Sequence, residues 1–339
     1  MIIRSKAPLR LGLAGGGTDL DVYCDKYTGY VLNVTIDLFV HCTIETTKDE
    51  KIIFKSLDLK QKFESKSKKN FQLDGEMDLY KAIYNKVIKD FVKKKVSLKV
   101  ITYSDVPSGS GLGGSSTLVV SILQAFVKLF NLPLGEYDIA RYAFEIEREH
   151  VGIIGGAQDQ YASTFGGFNF MEFYRKKRVI VNPLKINRWI IDELESSIVL
   201  YYTNISRKAS QIEEEKKSIM HSKKSLDAMH LVKKNALLMK EFLLKGELLN
   251  FADFLGKSWE SKKNVSNVVT NNEIDKIYKK AIKLGAYAGK VSGAGGGGFM
   301  FFIIDPIKKY TLCNELSKEK GRVINFNFFM KGAKAWKIR

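Results

Sequence analysis

Residues 107–117 read PSGSGLGGSST and stand between a strand-like stretch, 96–103, and an uninterrupted apolar run, 118–130. Several close glycines let successive backbone N–H groups turn toward one anion without Cβ clashes, and a following helix adds the positive end of its dipole. Such a loop suits phosphate. Gly109, Gly111 and Gly114 also satisfy G-x-G-x-x-G, but a dinucleotide fold needs the next helix to return to a parallel strand ending in an acidic residue about 20 positions on. Here the apolar run leads into a second helix, 135–150, and Glu136 lies at that helix's start. A Walker A loop would carry Lys after its last glycine. Ser115 and Ser116 stand there instead, so a lysine's charge must come from elsewhere.

Two further glycine segments flank this one. APLRLGLAGGGTDLDVY, 7–23, sets Arg10 ahead of Gly15, Gly16 and Gly17, with Thr18 and Asp19 following. Its plain reading is a strand and a tight turn, with Asp19 capping the next helix. GKVSGAGGGG, 289–298, has more glycine than a turn requires. Close approach of its backbone to a ligand or to another loop explains it better.

Around these motifs the pattern alternates. Residues 31–36 and 40–46 read as two strands, 77–95 as a helix with Leu79, Ile83, Val87, Ile88 and Phe91 on one stripe, and 166–173 and 179–181 as a strand pair. A strand at 198–203 precedes an almost wholly helical stretch, 206–263, and another helix at 274–284 leads into the third glycine segment. A strand-rich tail closes the chain. The expectation is a two-domain α+β protein, with an N-terminal domain over 1–190 holding a mixed sheet with helices. A helix-rich domain with an antiparallel sheet follows over 191–339.

Hydrophobic residues form 45% and charged residues 27% of the 339, the balance of a globular chain with a real core. The net charge of +18 suggests polyanions, yet the cations are scattered, and the groups at 66–69, 93–95 and 175–178 are short and separate. Nucleic-acid binding is therefore not expected, although a positive field favours an anionic substrate. Cys24, Cys42 and Cys313 form no disulfide or zinc pattern, and the four histidines lack metal-ligand spacing. No run approaches a membrane span and MIIRSKAPLR has no leader-like apolar stretch, so the expected location is the cytoplasm. A homodimer is the expected assembly to test.

In order and spacing the three segments resemble the three motifs of the GHMP kinases, and the resemblance covers essentially the whole chain. PSGSGLGGSST is similar to that family's ATP loop, P-x-x-x-G-L-G-S-S-A, with Gly114 at the first serine position. The resemblance implies ATP and Mg2+ as cofactors. It implies that Pro107, Gly109, Ser110, Gly111, Leu112, Gly113, Gly114, Ser115 and Ser116 bind ATP, with Ser115, or its neighbour Ser116, on the metal. AFEIEREHVGIIGGAQDQYAST, 143–164, resembles the segment that carries the family's magnesium-binding Glu and catalytic Asp, here Glu147 and Asp159. Taken alone, Glu147 would be a solvated helix carboxylate like Glu145 and Glu149. Arg10 falls where a basic residue sits beside the catalytic Asp.

Asp19 matches the aspartate of the galactokinase motif G-E-H-T-D-Y, which here reads G-G-G-T-D-L. Gly16 and Gly17 remove two polar contacts, open space, and argue against galactose. Within the family, SKAPLRLGLAGGGTD and FLGKSWESKK are most similar to the members that phosphorylate the anomeric hydroxyl of heptose 7-phosphate. That resemblance implies Gly16, Gly17, Thr18, Asp19, Gly293, Gly295 and Gly296 in sugar binding. An acceptor that already bears phosphate needs cations at its far end, and Ser206 and Arg207, opening a helix after a strand, are candidates beside their plain reading as a helix cap. The rivals are a kinase for another sugar, such as fucose or a galactose derivative, and a sugar- and ATP-binding regulator without turnover.

Overall fold

The computed structural model describes residues 1–205, 222–265 and 268–338. Its first sheet has the order β12 (Lys334–Lys337), β1 (Ile2–Ala14), β2 (Gly29–Thr46), β5 (Leu98–Ser104), β3 (Lys51–Ser56) and β4 (Gln61–Lys66). β6 (Phe168–Tyr174) also pairs with β2, and β7 (Arg178–Pro183) pairs with β6. The β3–β5 pair is parallel and the other pairs are antiparallel, so the sheet is mixed. The second sheet is antiparallel throughout, in the order β11 (Arg322–Ile324), β8 (Ile198–Tyr202), β10 (Phe299–Ile304) and β9 (Ala286–Val291). The architecture is α+β.

Two apolar layers cover the first sheet. On one face Ile3, Ala7, Ile44 and Val100 pack with the helices Asp78–Val87 and Gly114–Phe130. On the other Leu9, Leu11, Leu13 and Val34 share a core with Leu200 and Phe301 of the second sheet and with the helices Lys223–Lys245 and Leu248–Lys263. Side chains along a strand alternate faces, so Ile3, Ala7, Leu9 and Leu11 would share one face of a regular β1. They do not. Pairing of β1 with β2 is irregular between Pro8 and Arg10, where residues 36–38 of β2 stand opposite Leu9 alone. Such irregularities re-aim side chains, and this one brings Arg10 to the side where the helix Gln158–Phe165 packs.

Three sequence expectations change. Residues 31–36 and 40–46 belong to one strand, β2, that runs through the irregularity. The tail holds the helix Pro306–Ser317, started by Asp305, whose carboxylate accepts from the Ile307 N–H at 2.9 Å. The chain also does not keep to a division at 190/191 throughout, because β12 returns to pair with β1, Ile3 opposite Lys337. Both long helical expectations in the first domain end in a wide π turn, Ile88–Val92 and Glu145–His150. No helix among the described residues is long and apolar enough to cross a membrane.

Candidate active site

The glycine loop ends where the helix Gly114–Phe130 begins, and it has no acidic residue in its first turn. Residues 107–111 and 113–116 line a cavity of about 640 Å³, within the range of small-ligand sites. Leu112 departs from its expected role. Its side chain is buried in the core and its carbonyl accepts the Arg10 N–H at 3.1 Å.

Arg10 and Asp159 meet at this loop. Arg10 Nε donates to Asp159 Oδ1 at 2.8 Å, and Nη2 lies 2.7 Å from the same oxygen. Nη1 donates to the Gly111 carbonyl at 2.6 Å, tying the guanidinium to the loop itself. A Cβ at Gly113 would stand 3.1 Å from the Asp159 carboxyl. The carboxylate therefore faces the same space as the loop, held by a cation that is only 4% exposed.

The π turn carries Glu147 inward. Glu147 is fully buried, in contrast with exposed Glu149. Gln160 Nε2 donates to its Oε2 at 2.7 Å, and Arg148 Nη1 lies 3.2 Å from Oε1, which has no hydrogen-bond partner. Arg148 spans the loop 153–156 through the carbonyls of Ile153 and Gly156, and its Nη2 donates to Ser116 Oγ at 3.3 Å. Ser116 is buried and engaged, whereas Ser115 is exposed on the cavity. Ser115 is thus the hydroxyl open to a ligand, and Glu147, which lines the same cavity with an oxygen that accepts no hydrogen bond, is a carboxylate that suits a small cation. Among the described residues no group of three His, Cys, Asp or Glu forms a cage, which suits an ion completed by water and phosphate oxygens.

Asp19 does not cap the helix Asp21–Tyr27. Its Oδ1 accepts the Gly17 N–H at 3.0 Å, and Oδ2 accepts the Gln158 N–H at 3.2 Å, one residue from Asp159. Gly16, Gly17 and Asp19 line the cavity with Gln158. Thr18 does not, because its hydroxyl donates to the Gly15 carbonyl at 2.8 Å and accepts the Tyr30 N–H at 3.0 Å. A smaller cavity of about 350 Å³ lies beyond Asp19 with acids and bases in balance, among them the Lys177–Glu149 pair.

The third glycine segment divides. Gly293 and Ala294 line the cavity, whereas Gly295 and Gly296 abut the backbone of Val269 and Val268 and do not reach it. Gly298 instead meets the first loop: a Cβ there would lie 2.2 Å from the Ser110 carbonyl, which accepts the Phe299 N–H at 2.9 Å. Ser206 and Arg207 lie outside the described residues. Sequence reasoning missed Arg148, Gln158, Lys262 and Lys290, all on the cavity wall. For Lys290 a signal existed, a lone lysine inside the otherwise apolar run AYAGKV.

The chain matches the GHMP kinases N terminal domain over residues 78–167 and the GHMP kinases C terminal domain over residues 239–322. It is 60% identical to a D-glycero-alpha-D-manno-heptose 7-phosphate kinase of Campylobacter jejuni, over 99% of both chains. A crystal structure of a D-glycero-D-manno-heptose 1-phosphate kinase from Bacteroides thetaiotaomicron superposes with a TM-score of 0.85 at 45% identity, covering 99% of each chain. A mevalonate kinase structure, at 21% identity and a TM-score of 0.76 over 98% of this chain and 99% of its own, shares the fold. A phosphate-suited loop beside an Arg–Asp pair, two matched domains and whole-length identity converge, and the chain belongs to the GHMP kinase family.

Proposed function

We propose that this ATP-dependent sugar kinase transfers the γ-phosphate of ATP to the C1 hydroxyl of D-glycero-D-manno-heptose 7-phosphate, giving the 1,7-bisphosphate. The observation that carries the reading is the Arg10–Asp159 pair at the edge of the loop 109–116, within one cavity. Phosphoryl transfer needs an acceptor hydroxyl in line with phosphorus, a group to take its proton and cover for the phosphate charge. Asp159 is the base. Arg10 orients it, with Nε donating to Oδ1 at 2.8 Å and Nη2 2.7 Å from the same oxygen.

The loop N–H groups and the first turn of the helix Gly114–Phe130 receive the triphosphate. Val40, Leu59, Leu79 and Tyr103 form the apolar end of the cavity and suit the nucleotide base. Asp19, oriented by Gln158 and Gly17, accepts hydrogen bonds from sugar hydroxyls. Ser115 and Glu147 would hold Mg2+, which would supply charge neutralisation for the phosphates. The carboxylate–hydroxyl pair supports a magnesium site because Glu147 Oε1 is buried and, beside its ion pair with Arg148, accepts no hydrogen bond.

Phosphorus NMR of a mixture of ATP, Mg2+ and the heptose 7-phosphate tests the reading. The expected spectrum gains an anomeric phosphate resonance split by the C1 proton, while fucose and galactose yield none. Asp159→Asn should lower turnover about 10²- to 10⁴-fold while ATP still binds. A wild-type enzyme that leaves heptose 7-phosphate untouched refutes the acceptor, and an active Asp159→Asn variant points to a different base.

A further inference from the structure

Lys290 sits in β9 of the second sheet and is 3% exposed. Its ammonium crosses to the first sheet and donates to the Leu13 carbonyl of β1 at 3.2 Å, its one hydrogen bond among the described residues. That acceptor is neutral. The charge acting on Lys290 is the Arg10 guanidinium, of like sign, and burial followed by this repulsion lowers its pKa to about 7. Arg10 has a counter-ion in Asp159; Lys290 has none among the described residues. Among the charged groups that line the cavity with it, beside Asp58, Glu147 and Arg148, are Arg10 on β1, Asp159 on the helix Gln158–Phe165 and Asp19 in the turn after β1. Lys262 joins them from the helix Leu248–Lys263, with its ammonium on the Gly293 carbonyl.

A buried ammonium without an anion is costly, and an ammonium has three protons to donate. The glycine loop, for its part, lacks the lysine that a Walker A motif would supply. We infer that Lys290 is a phosphate-binding residue of this site, carried from the second sheet to complete the positive wall that the loop alone does not provide. The phosphate belongs either to the nucleotide or to the phosphorylated acceptor of the proposed reaction, and only the second source rests on that reading. Arrival of a phosphate gives the ammonium its counter-ion, so the neutral amine takes up a proton as the ligand binds.

The sign of the pH effect follows. With a folded pKa about 7 and an unfolded one near the ordinary lysine value, roughly 10.4, the unfolded chain binds more protons between the two. The penalty of the buried charge is therefore full below pH 7 and fades as pH rises through that window.

The test is titration calorimetry on the full chain at pH 8, in two buffers of different ionisation enthalpy, with Mg-ADP, adenosine, heptose 7-phosphate and unphosphorylated heptose. The wild type should take up a proton with the phosphate ligand that Lys290 meets, and not with that ligand's phosphate-free counterpart. Lys290→Met should abolish the uptake and weaken that ligand about 10- to 100-fold. Lys290→Arg, permanently charged, should bind without uptake. Melting of the ligand-free Met variant should rise relative to wild type by more at pH 6 than at pH 9.

If Lys290→Met and Lys290→Arg both bind all four ligands with the wild-type proton count, the inference is wrong. Should the Met variant not fold, the Arg variant decides alone, since unchanged uptake there overturns the idea. Loss of uptake with Mg-ADP in a protein that does not phosphorylate the heptose would leave Lys290 assigned and refute only the acceptor.

Discussion

Asp19 and Gly156 touch so closely that the residue type at 156 decides the position of the carboxylate. A Cβ on Gly156 would lie 1.9 Å from Asp19 Oδ2, well inside van der Waals contact, so Gly156→Ala must push Asp19 off its bonds to Gly17 and Gln158. Misplacement by about 1 Å costs about 10²-fold in rate. Steady-state kinetics should therefore give a kcat/KM for the sugar lower by that order, with the KM for ATP changed little. At this scale the sequence was informative where a residue type was out of character. Asp159 and Glu147 were singled out by family likeness, since Glu147 alone reads as a solvated helix carboxylate. Arg148 has no signal in the sequence, and only the fold of residues 153–156 around its guanidinium explains it.

Elements carry the next level of argument, and the third glycine segment is the clearest case. Its glycines serve contact between loops as well as contact with a ligand, since Gly298 lies against Ser110 at φ 81°. Gly298→Ala adds a side chain in a left-handed conformation, which costs about 1–3 kcal/mol before the clash is counted. The variant should melt lower than wild type by calorimetry and bind ATP more weakly, because Ser110 belongs to the glycine loop proposed to receive the triphosphate. Glycine count in the sequence announced close approach without naming the neighbour. The helix Pro306–Ser317 had a legible start, Asp then Pro, yet it was read as part of a strand-rich tail. Conversely, the face reversal in β1 could not be read, because the irregular pairing belongs to residues 36–38 of another strand.

Across the whole molecule, residues from the two sheets share one apolar core, and the C-terminal segment buttresses the helix Gln158–Phe165. Ala333 N–H donates to the Ser163 carbonyl at 2.9 Å, and a Cβ on Gly332 would meet the Thr164 carbonyl at 1.8 Å. Both contacts fall on the helix Gln158–Phe165, whose first turn holds Asp159. Deleting residues 331–338 should therefore lower both melting temperature and turnover, and should expose the edge of β1 to association, visible as larger species in light scattering. An intact melting curve with full activity would remove the buttress role. Pairing between strands so far apart in the chain has no local signature, so neither composition nor periodicity revealed it.

That pairing also orders events during synthesis. A ribosome releases β1 early and β12 only after all three glycine-rich segments have emerged, so this sheet edge waits for about 320 further residues. The nascent polypeptide can form the glycine loop early, but the segment packed on the helix Gln158–Phe165 arrives late. Completion of the first sheet is thereby coupled to synthesis of the segment 334–337.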